Sequence, residues 1–242
     1  MPISRIAPTG SVVDLVVPAA LGALRWYGST RFTGPRLARH FFLAPAGEHQ
    51  VIPRKLLPGA REQRIPMRGY DAVLFEAADR SDAALALVGP FHEATTWFGG
   101  PAPGPRGIDN LISTFRFTDA AGGASLVPAS DLLVRQSGVS VIGRSDHALV
   151  SVREAAEALP SLPEWAGLAV AGGELWRTGR ALEPAVASLV ADTAHAWRYL
   201  LAGPSAVTDV VLLGPESGRP AIGLAEDAVV AALSALTARW TR

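Results

Sequence analysis

Apolar and polar positions are arranged most regularly between Gly69 and Phe117. Apolar runs at Gly69–Glu76, Ala83–Val88 and His92–Phe98 are separated by turn residues and predict three strands. A loop rich in Gly and Pro follows, and then Ile108, Leu111, Ile112 and Phe115 recur at helical spacing. The order predicts an antiparallel meander with a helix laid across it.

Outside this stretch the pattern predicts helices alternating with short strands. The predicted helices are Pro18–Tyr27, Arg36–Leu43, Asp146–Leu159, Pro184–Leu201 and Glu226–Trp240. The predicted strands are Val12–Val17, Ala124–Val127, Val139–Ile142, Leu168–Val170 and Asp209–Leu213. Residues 44–68 keep no periodicity and contain four prolines, so we expect an irregular wrap there.

These elements indicate an α/β (α+β) fold, a layered protein of sheet and helix. We expect an N-terminal half at 1–118, with the meander and its helix, and a C-terminal α/β half at 119–242. The run Leu85–Pro90 resembles Val210–Pro215, and a loop and a helix follow each. The prediction is therefore two related halves in a pseudo-twofold arrangement, although shared apolar composition alone also explains the likeness.

The meander and the run Ile112-Ser113-Thr114-Phe115-Arg116-Phe117 resemble the PsbP-like fold, including the LpqN-type group of actinobacterial lipoproteins. The resemblance covers only residues 69–117. It implies an accessory or binding protein, because that family is mostly non-catalytic. It transfers no site residue, because the matching positions are core positions.

Composition narrows the classes of function. The chain has no cysteine and no net formal charge, and 18% of its residues are charged. A globular protein is therefore expected, without thiolate chemistry or Cys-ligated metal, and nucleic-acid binding is disfavoured. No metal or cofactor motif is present, so we expect neither. We see no signal peptide and no membrane-spanning run, so the expected location is cytoplasmic.

Two predicted strand–loop–helix joints offer candidate chemistry, one at Gly143–His147 and one at Gly214–Arg219. Free N–H groups at helix N-termini would face a small anionic ligand there. The candidate ligand-binding residues are Arg144, Ser145, Ser217 and Arg219, and His147 and Asp146 are candidates for moving a proton. The alternative is that Ser145 and Asp146 are ordinary capping residues and that Arg144 and His147 are solvated.

His92 and Trp97 are further candidate ligand-binding residues, on the third strand of the meander. Alternation predicts that His92, Ala94, Thr96 and Phe98 share one face, with Glu93, Thr95 and Trp97 on the other. Such a polar and aromatic face lines a pocket or an interface, or is simply a half-exposed sheet face.

The absence of catalytic motifs favours an accessory protein, an adaptor or a chaperone-like protein that binds a protein partner or a copy of itself. One alternative is a small cofactor-independent enzyme that acts on an anionic molecule at the 143–147 and 214–219 loops. Another is a structural subunit of a larger assembly.

Overall fold

The computed structural model describes residues 2–35, 37–130, 134–214, 217–219 and 225–241. Strands take up 49% of the structure and helices 21%, and the helices are short. The prediction of an α/β (α+β) layered fold is therefore wrong, because several apolar runs that we predicted as helices are strands of antiparallel sheet.

The elements are numbered in chain order. The strands are β1 Pro2–Ile6, β2 Val12–Val16, β3 Arg25–Gly34, β4 Leu37–Pro45, β5 Arg61–Met67, β6 Tyr70–Glu76, β7 Ala83–Val88, β8 His92–Trp97, β9 Phe115–Ala120, β10 Gly123–Pro128, β11 Arg135–Arg144, β12 Ala148–Glu154, β13 Leu168–Val170, β14 Gly173–Gly179, β15 Trp197–Ala202, β16 Ala206–Leu212 and β17 Thr237–Thr241. The α-helices are α1 Pro105–Ser113, α2 Ala155–Ala158, α3 Pro184–Val190 and α4 Glu226–Ser234. Single helical turns lie at Ala19–Leu21, Glu48–Gln50, Ile52–Leu56, Leu159–Ser161 and Ala194–Ala196.

The chain forms two compact units. The first unit consists of Ile6–Ser11 and Tyr27–Val139. The second unit consists of Met1–Arg5, Val12–Trp26 and Ser140–Arg242.

The first unit is an antiparallel sheet with strand order β3-β4-β8-β7-β6-β5 and a separate ribbon of β9 and β10. Its main core lies on one face of the sheet, where Ile108, Leu111 and Ile112 of α1 are buried with the sheet's apolar side chains. The rings of Phe32, Phe41 and Phe115 pack against each other in this core. A smaller cluster on the opposite face contains Ile52, Val73, Phe75, Ala84 and Ala86.

The second unit has strand order β11-β12-β16-β15-β14-β13, again antiparallel, and a smaller sheet of β1, β2 and β17. Val150, Val152, Val210 and Leu212 are buried at alternate positions of β12 and β16. This spacing of two is the pattern of a sheet with one face on the core.

The two units repeat one topology. Six strands follow each other along the chain in each unit, then a helix and a further strand, and the six strands have the same spatial order in both sheets. The hairpin turns agree in detail: the Gly89 N–H donates to His92 O at 2.8 Å, and the Gly203 N–H donates to Ala206 O at 2.9 Å. The β7–β8 hairpin of the first unit therefore corresponds to the β15–β16 hairpin of the second.

A second pair of hydrogen bonds fixes the neighbouring strands. The Ala46 N–H donates to Phe91 O at 2.9 Å, and the Ala155 N–H donates to Ser205 O at 3.0 Å. Residues that end β4 and β12 therefore correspond as well. Our sequence comparison of Leu85–Pro90 with Val210–Pro215 is displaced by one strand, because the counterpart of Gly89 is Gly203.

The meander is where sequence and structure agree best. The strands predicted at 69–76, 83–88 and 92–98 are confirmed as β6, β7 and β8, and the helix is confirmed as α1. Gly, Pro or Asp residues lie in the turns between these four elements, whereas α1 ends at Ser113 and is followed directly by β9 from Phe115.

The predicted long helices are wrong. The run Pro184–Leu201 is helical only to Val190, and its end is the central strand β15. The predicted helix at 146–159 is the strand β12 followed by the single turn α2. The predicted helix at 18–27 is the single turn Ala19–Leu21 followed by the first residues of β3. The predicted helix at 36–43 belongs to strand β4 from Leu37 onwards, and Glu226–Trp240 divides into α4 and β17. The apolar residues of these Ala-, Leu- and Val-rich runs fit the helical period of about 3.6 residues and also the strand period of two. Pairing with neighbouring strands decides between the two structures.

None of the helices in the described part of the chain is long and apolar enough to cross a membrane.

Candidate functional site

The predicted anion site at 143–147 does not have the geometry that its chemistry requires. Arg144 is the exposed last residue of β11 and Ala148 begins β12, so Ser145 lies in a hairpin turn and not at a helix N-terminus. The Ser145 hydroxyl accepts hydrogen bonds from the N–H groups of His147 and Ala148, at 3.0 and 2.9 Å, and donates to Leu21 O at 2.6 Å. The N–H groups expected to face an anion are therefore used within the turn.

The two loops do meet at one contact. Arg219 pairs with the exposed carboxylate of Asp146. The Ser217 hydroxyl donates to Gly214 O at 2.8 Å and caps its own turn. The Nδ1 atom of His147 is buried without a hydrogen-bond partner in the part of the chain that the structure describes. The described residues of the two loops thus form an ion pair between surface turns and not a cradle of free donors.

His92 lies on the face of β8 opposite to Trp97 and belongs to a structural cluster. Its Nδ1 is 2.8 Å from Oδ1 of Asp119, and Oδ2 of Asp119 accepts the N–H groups of Phe91 and His92 at 2.7 and 3.1 Å. Through these contacts Asp119 links β9 to the β7–β8 turn. Gly89 makes room for this carboxylate, because a Cβ there would lie 2.9 Å from Asp119 Cγ.

Trp97 borders a cavity of about 250 Å³ on the other face of the first unit's sheet. The strands contribute Tyr27, Phe42, Ala44, Glu93, Thr95 and Trp97, and the helical turns after β4 contribute Glu48, His49, Val51, Ile52 and Leu56. Phe42 is 42% exposed and Trp97 38% exposed, and Val51 and Leu56 are exposed too. The rings of Tyr27 and Phe42 stack with centroids 5.6 Å apart. The cavity therefore has an open aromatic and aliphatic rim.

A buried polar pair lies among these apolar side chains. Glu93 is 1% exposed, and its Oε2 is 2.6 Å from Nδ1 of His49 and 2.8 Å from the backbone N of Gly47. An ionised carboxylate only accepts hydrogen bonds, so opposite an ionised Glu93 the donor is Nδ1 of His49, and the contact orients the ring. Both groups line the cavity.

The second unit shows that the fold does not require this pair. Ala158 is three residues after Ala155, as His49 is three residues after Ala46, and Val207 occupies the position of Glu93 in the matching hairpin. Both Ala158 and Val207 are completely buried. In the second unit α2 packs on β16, as Glu48–Gln50 packs on β8 in the first. The same packing is thus made once with a polar pair and once with apolar side chains.

The rim of the cavity is also confined to one unit. Strand registers place Ser140, Ser151 and Val211 of the second unit at the positions of Tyr27, Phe42 and Trp97. Asp209 takes the position of Thr95 and forms an ion pair with Arg198, which takes the position of Ala84. The hydrogen bond that Arg198 donates to the Asp209 carboxylate raises the pKa of the guanidinium. One sheet face is therefore aromatic in the first unit and polar in the second.

Sequence reasoning found only part of this site. Alternation along β8 indicated that Glu93, Thr95 and Trp97 share a face, and all three line the cavity. The partner His49 lies in the stretch that we predicted to be irregular, and only the tertiary fold brings it to Glu93. The sequence signal was Glu93 itself, a carboxylate inside a strand that is otherwise apolar or hydroxylic on that face.

Among the described residues, no group of three His, Cys, Asp or Glu side chains is placed to hold a metal ion. No protein-family model, curated protein or solved structure matches the chain. Functional inference therefore depends on the geometry of the cavity.

Proposed function

We propose that this protein is a non-catalytic accessory protein that binds a segment of a partner protein in the aromatic cavity of its first unit. The observation that carries the proposal is the cluster of exposed Phe42, Trp97, Val51 and Leu56 around one recess. Large apolar side chains scattered singly over a surface are ordinary, whereas a contiguous patch with a recess is typical of an interaction site.

The comparison between units supports the proposal. If the exposed rings only met the needs of this topology, the second unit would carry them too, but it has Ser140, Ser151 and Val211. Aromatic side chains that remain exposed contribute little to the folding of the unit that carries them. They contribute a great deal to binding, because aromatic anchors dominate the energy of protein interfaces.

The size and shape of the cavity favour a side chain or a short segment over a whole folded surface. A volume of about 250 Å³ lies below the usual range for sites that enclose a small molecule, about 300–1,000 Å³. The resemblance of residues 69–117 to PsbP-like proteins, which are mostly accessory proteins, points to the same class of function. The cytoplasm remains the proposed compartment, and we propose no role for nucleic acid.

Selection from a displayed library of random peptides tests the proposal. The target is the whole protein, and the depletion step uses the Phe42→Ser/Trp97→Val variant, which introduces the second unit's residues at both positions. We expect peptides that bind the wild type and lose at least tenfold in affinity for the variant. Peptides that bind both proteins equally would contradict the proposal.

Phe91→Ser is the matched control for this selection. Phe91 is 51% exposed in the β7–β8 turn, it does not line the cavity, and its counterpart in the second unit is Ser205. The substitution removes an exposed ring from the same unit, and peptide binding should be unchanged.

A further inference from the structure

The ionisable groups of the cavity indicate what kind of side chain it receives, if the cavity is the binding site proposed above. Glu48, His49 and Glu93 line it, and no Lys or Arg is among the described residues that do so. The described lining thus has more acidic than basic side chains. An occupant with a positive charge is therefore complementary to it.

Glu93 offers a specific acceptor. Its two described hydrogen bonds, from Gly47 and from His49, both end on Oε2, and Oε1 accepts none from the residues that the structure describes. An ionised carboxylate has about four acceptor positions, and the two described hydrogen bonds of Glu93 use only Oε2. A ligand that supplies an N–H group to Oε1 therefore meets an acceptor that no described residue occupies.

The rim suits the remainder of such a ligand. The faces of Trp, Tyr and Phe rings attract a cation, and Tyr27, Phe42 and Trp97 all line the cavity. Val51 and Leu56 add aliphatic surface that covers a methylene chain. A carboxylate in the cavity lining, with aromatic rings around it, is complementary to a long side chain that ends in a positive charge.

We propose that the cavity recognises a basic side chain of the partner segment, a lysine or an arginine, with its cationic nitrogen directed to Glu93 and its apolar stem against the aromatic rim. His49 is a positioning residue in this scheme, because it holds the carboxylate through Oε2 and leaves Oε1 for the ligand.

Three small probes with one alkyl stem test this inference on the whole protein: n-butylammonium, n-butanol and butanoate. Binding is followed by two-dimensional NMR through the indole N–H of Trp97 and the backbone N–H of Phe42. We expect n-butylammonium to bind about tenfold more tightly than n-butanol, and butanoate to bind more weakly than either.

A variant of Glu93 separates the effect of its charge on ligand binding from the effect of its shape. Glu93→Gln keeps the shape and an acceptor for His49 but removes the charge, so the preference for n-butylammonium over n-butanol should fall to about onefold. Glu62→Gln is the control, because Glu62 lies on β5 and does not line the cavity. If Glu93→Gln does not fold, the three probes on the wild type still decide the question.

The outcomes distinguish this inference from the proposed function. Equal binding of n-butylammonium and n-butanol would overturn the recognition of a basic side chain and leave an apolar binding site. Preference for butanoate would overturn it in favour of an anion held by His49. No saturable shift at Trp97 or Phe42 with any probe would count against both the inference and the proposed function.

Discussion

Glu93 and His49 form a buried hydrogen-bonded pair on which stability should depend. Removing one member leaves a buried polar group without its partner, at a cost of about 1–3 kcal/mol, and more for a charged group. We predict that His49→Ala lowers the free energy of unfolding by an amount of this order, measured by urea denaturation. The double variant His49→Ala/Glu93→Val should recover most of the loss, because it reproduces the apolar packing of Ala158 and Val207. A double variant no more stable than the single one would contradict the equivalence of the two sites.

Gly89 is a residue whose role follows from its neighbour. A methyl group there would overlap the Asp119 carboxylate, which accepts the N–H groups of Phe91 and His92. We predict that Gly89→Ala destabilises the protein by about 1–3 kcal/mol, the usual cost of leaving a buried hydrogen-bonding group unpaired. Gly100→Ala is the matched control, since nothing lies within 4 Å of a Cβ at Gly100. A similar loss in both variants, measured by thermal or urea unfolding, would show that the carboxylate is not the cause.

His40 provides a prediction of pH dependence. Partial removal from water, and secondarily the positive charge of Arg31, lower the pKa of the largely exposed His40 below its ordinary value of 6.5. The folded protein therefore binds fewer protons here than the unfolded chain, so stability is lost as the pH falls through 6.5 towards the lower, folded-state pKa. NMR titration of the histidine ring protons should place His40 below 6.5. His40→Gln should reduce the slope of stability against pH in that range. A midpoint above 6.5 would contradict the environment described for this ring.

At the scale of elements, prediction from sequence was most accurate where turn-forming residues separate the elements. Strands β6 to β8 and helix α1 are separated by Gly, Pro and Asp residues, and each was predicted nearly to its ends. The run 184–201 contains no Gly or Pro after Pro184, and of these residue types it has only Asp192, whose φ is 59°. Its apolar residues fit a helical stripe and also the alternation of a strand, and pairing with β14 and β16 favours the strand. Pairing between strands distant in sequence cannot be read from a local window.

Hydrogen exchange tests whether the run 184–201 is a short helix followed by a strand. We predict slow amide exchange across Trp197–Ala202, because β15 is hydrogen-bonded to a strand on each side. The short helix Pro184–Val190, with Leu189 largely exposed, should exchange much faster. Uniform protection from 184 to 201 would indicate one continuous helix and contradict the strand.

At the scale of the whole molecule, one topology is used twice with two different surfaces. The sequence did suggest a repeat, but it matched Val210–Pro215 to β7 because Gly-Pro follows an apolar run in both places. The hairpin hydrogen bonds show that Gly203-Pro204 is the counterpart of Gly89-Pro90. Conserved turn geometry identifies the repeat more reliably than apolar composition, which any core strand shares.

The repeat also explains why the site could only be predicted in part. Alternation grouped Glu93 with Trp97, but the contrast with Val207 and Val211 emerges only after the strands are matched in space. The candidates Arg144 and Arg219 were chosen on the assumption of helix N-termini. That assumption failed when Asp146–Leu159 proved to be a strand and a single turn.

Binding is expected at the aromatic face of the first unit and not at the matching face of the second. NMR shift mapping of the whole protein with a peptide from the library selection distinguishes the two faces. Shifted amides and side chains should cluster around Phe42, His49 and Trp97. Shifts that cluster around Ser151 and Val211, or around Asp146 and Arg219, would contradict it.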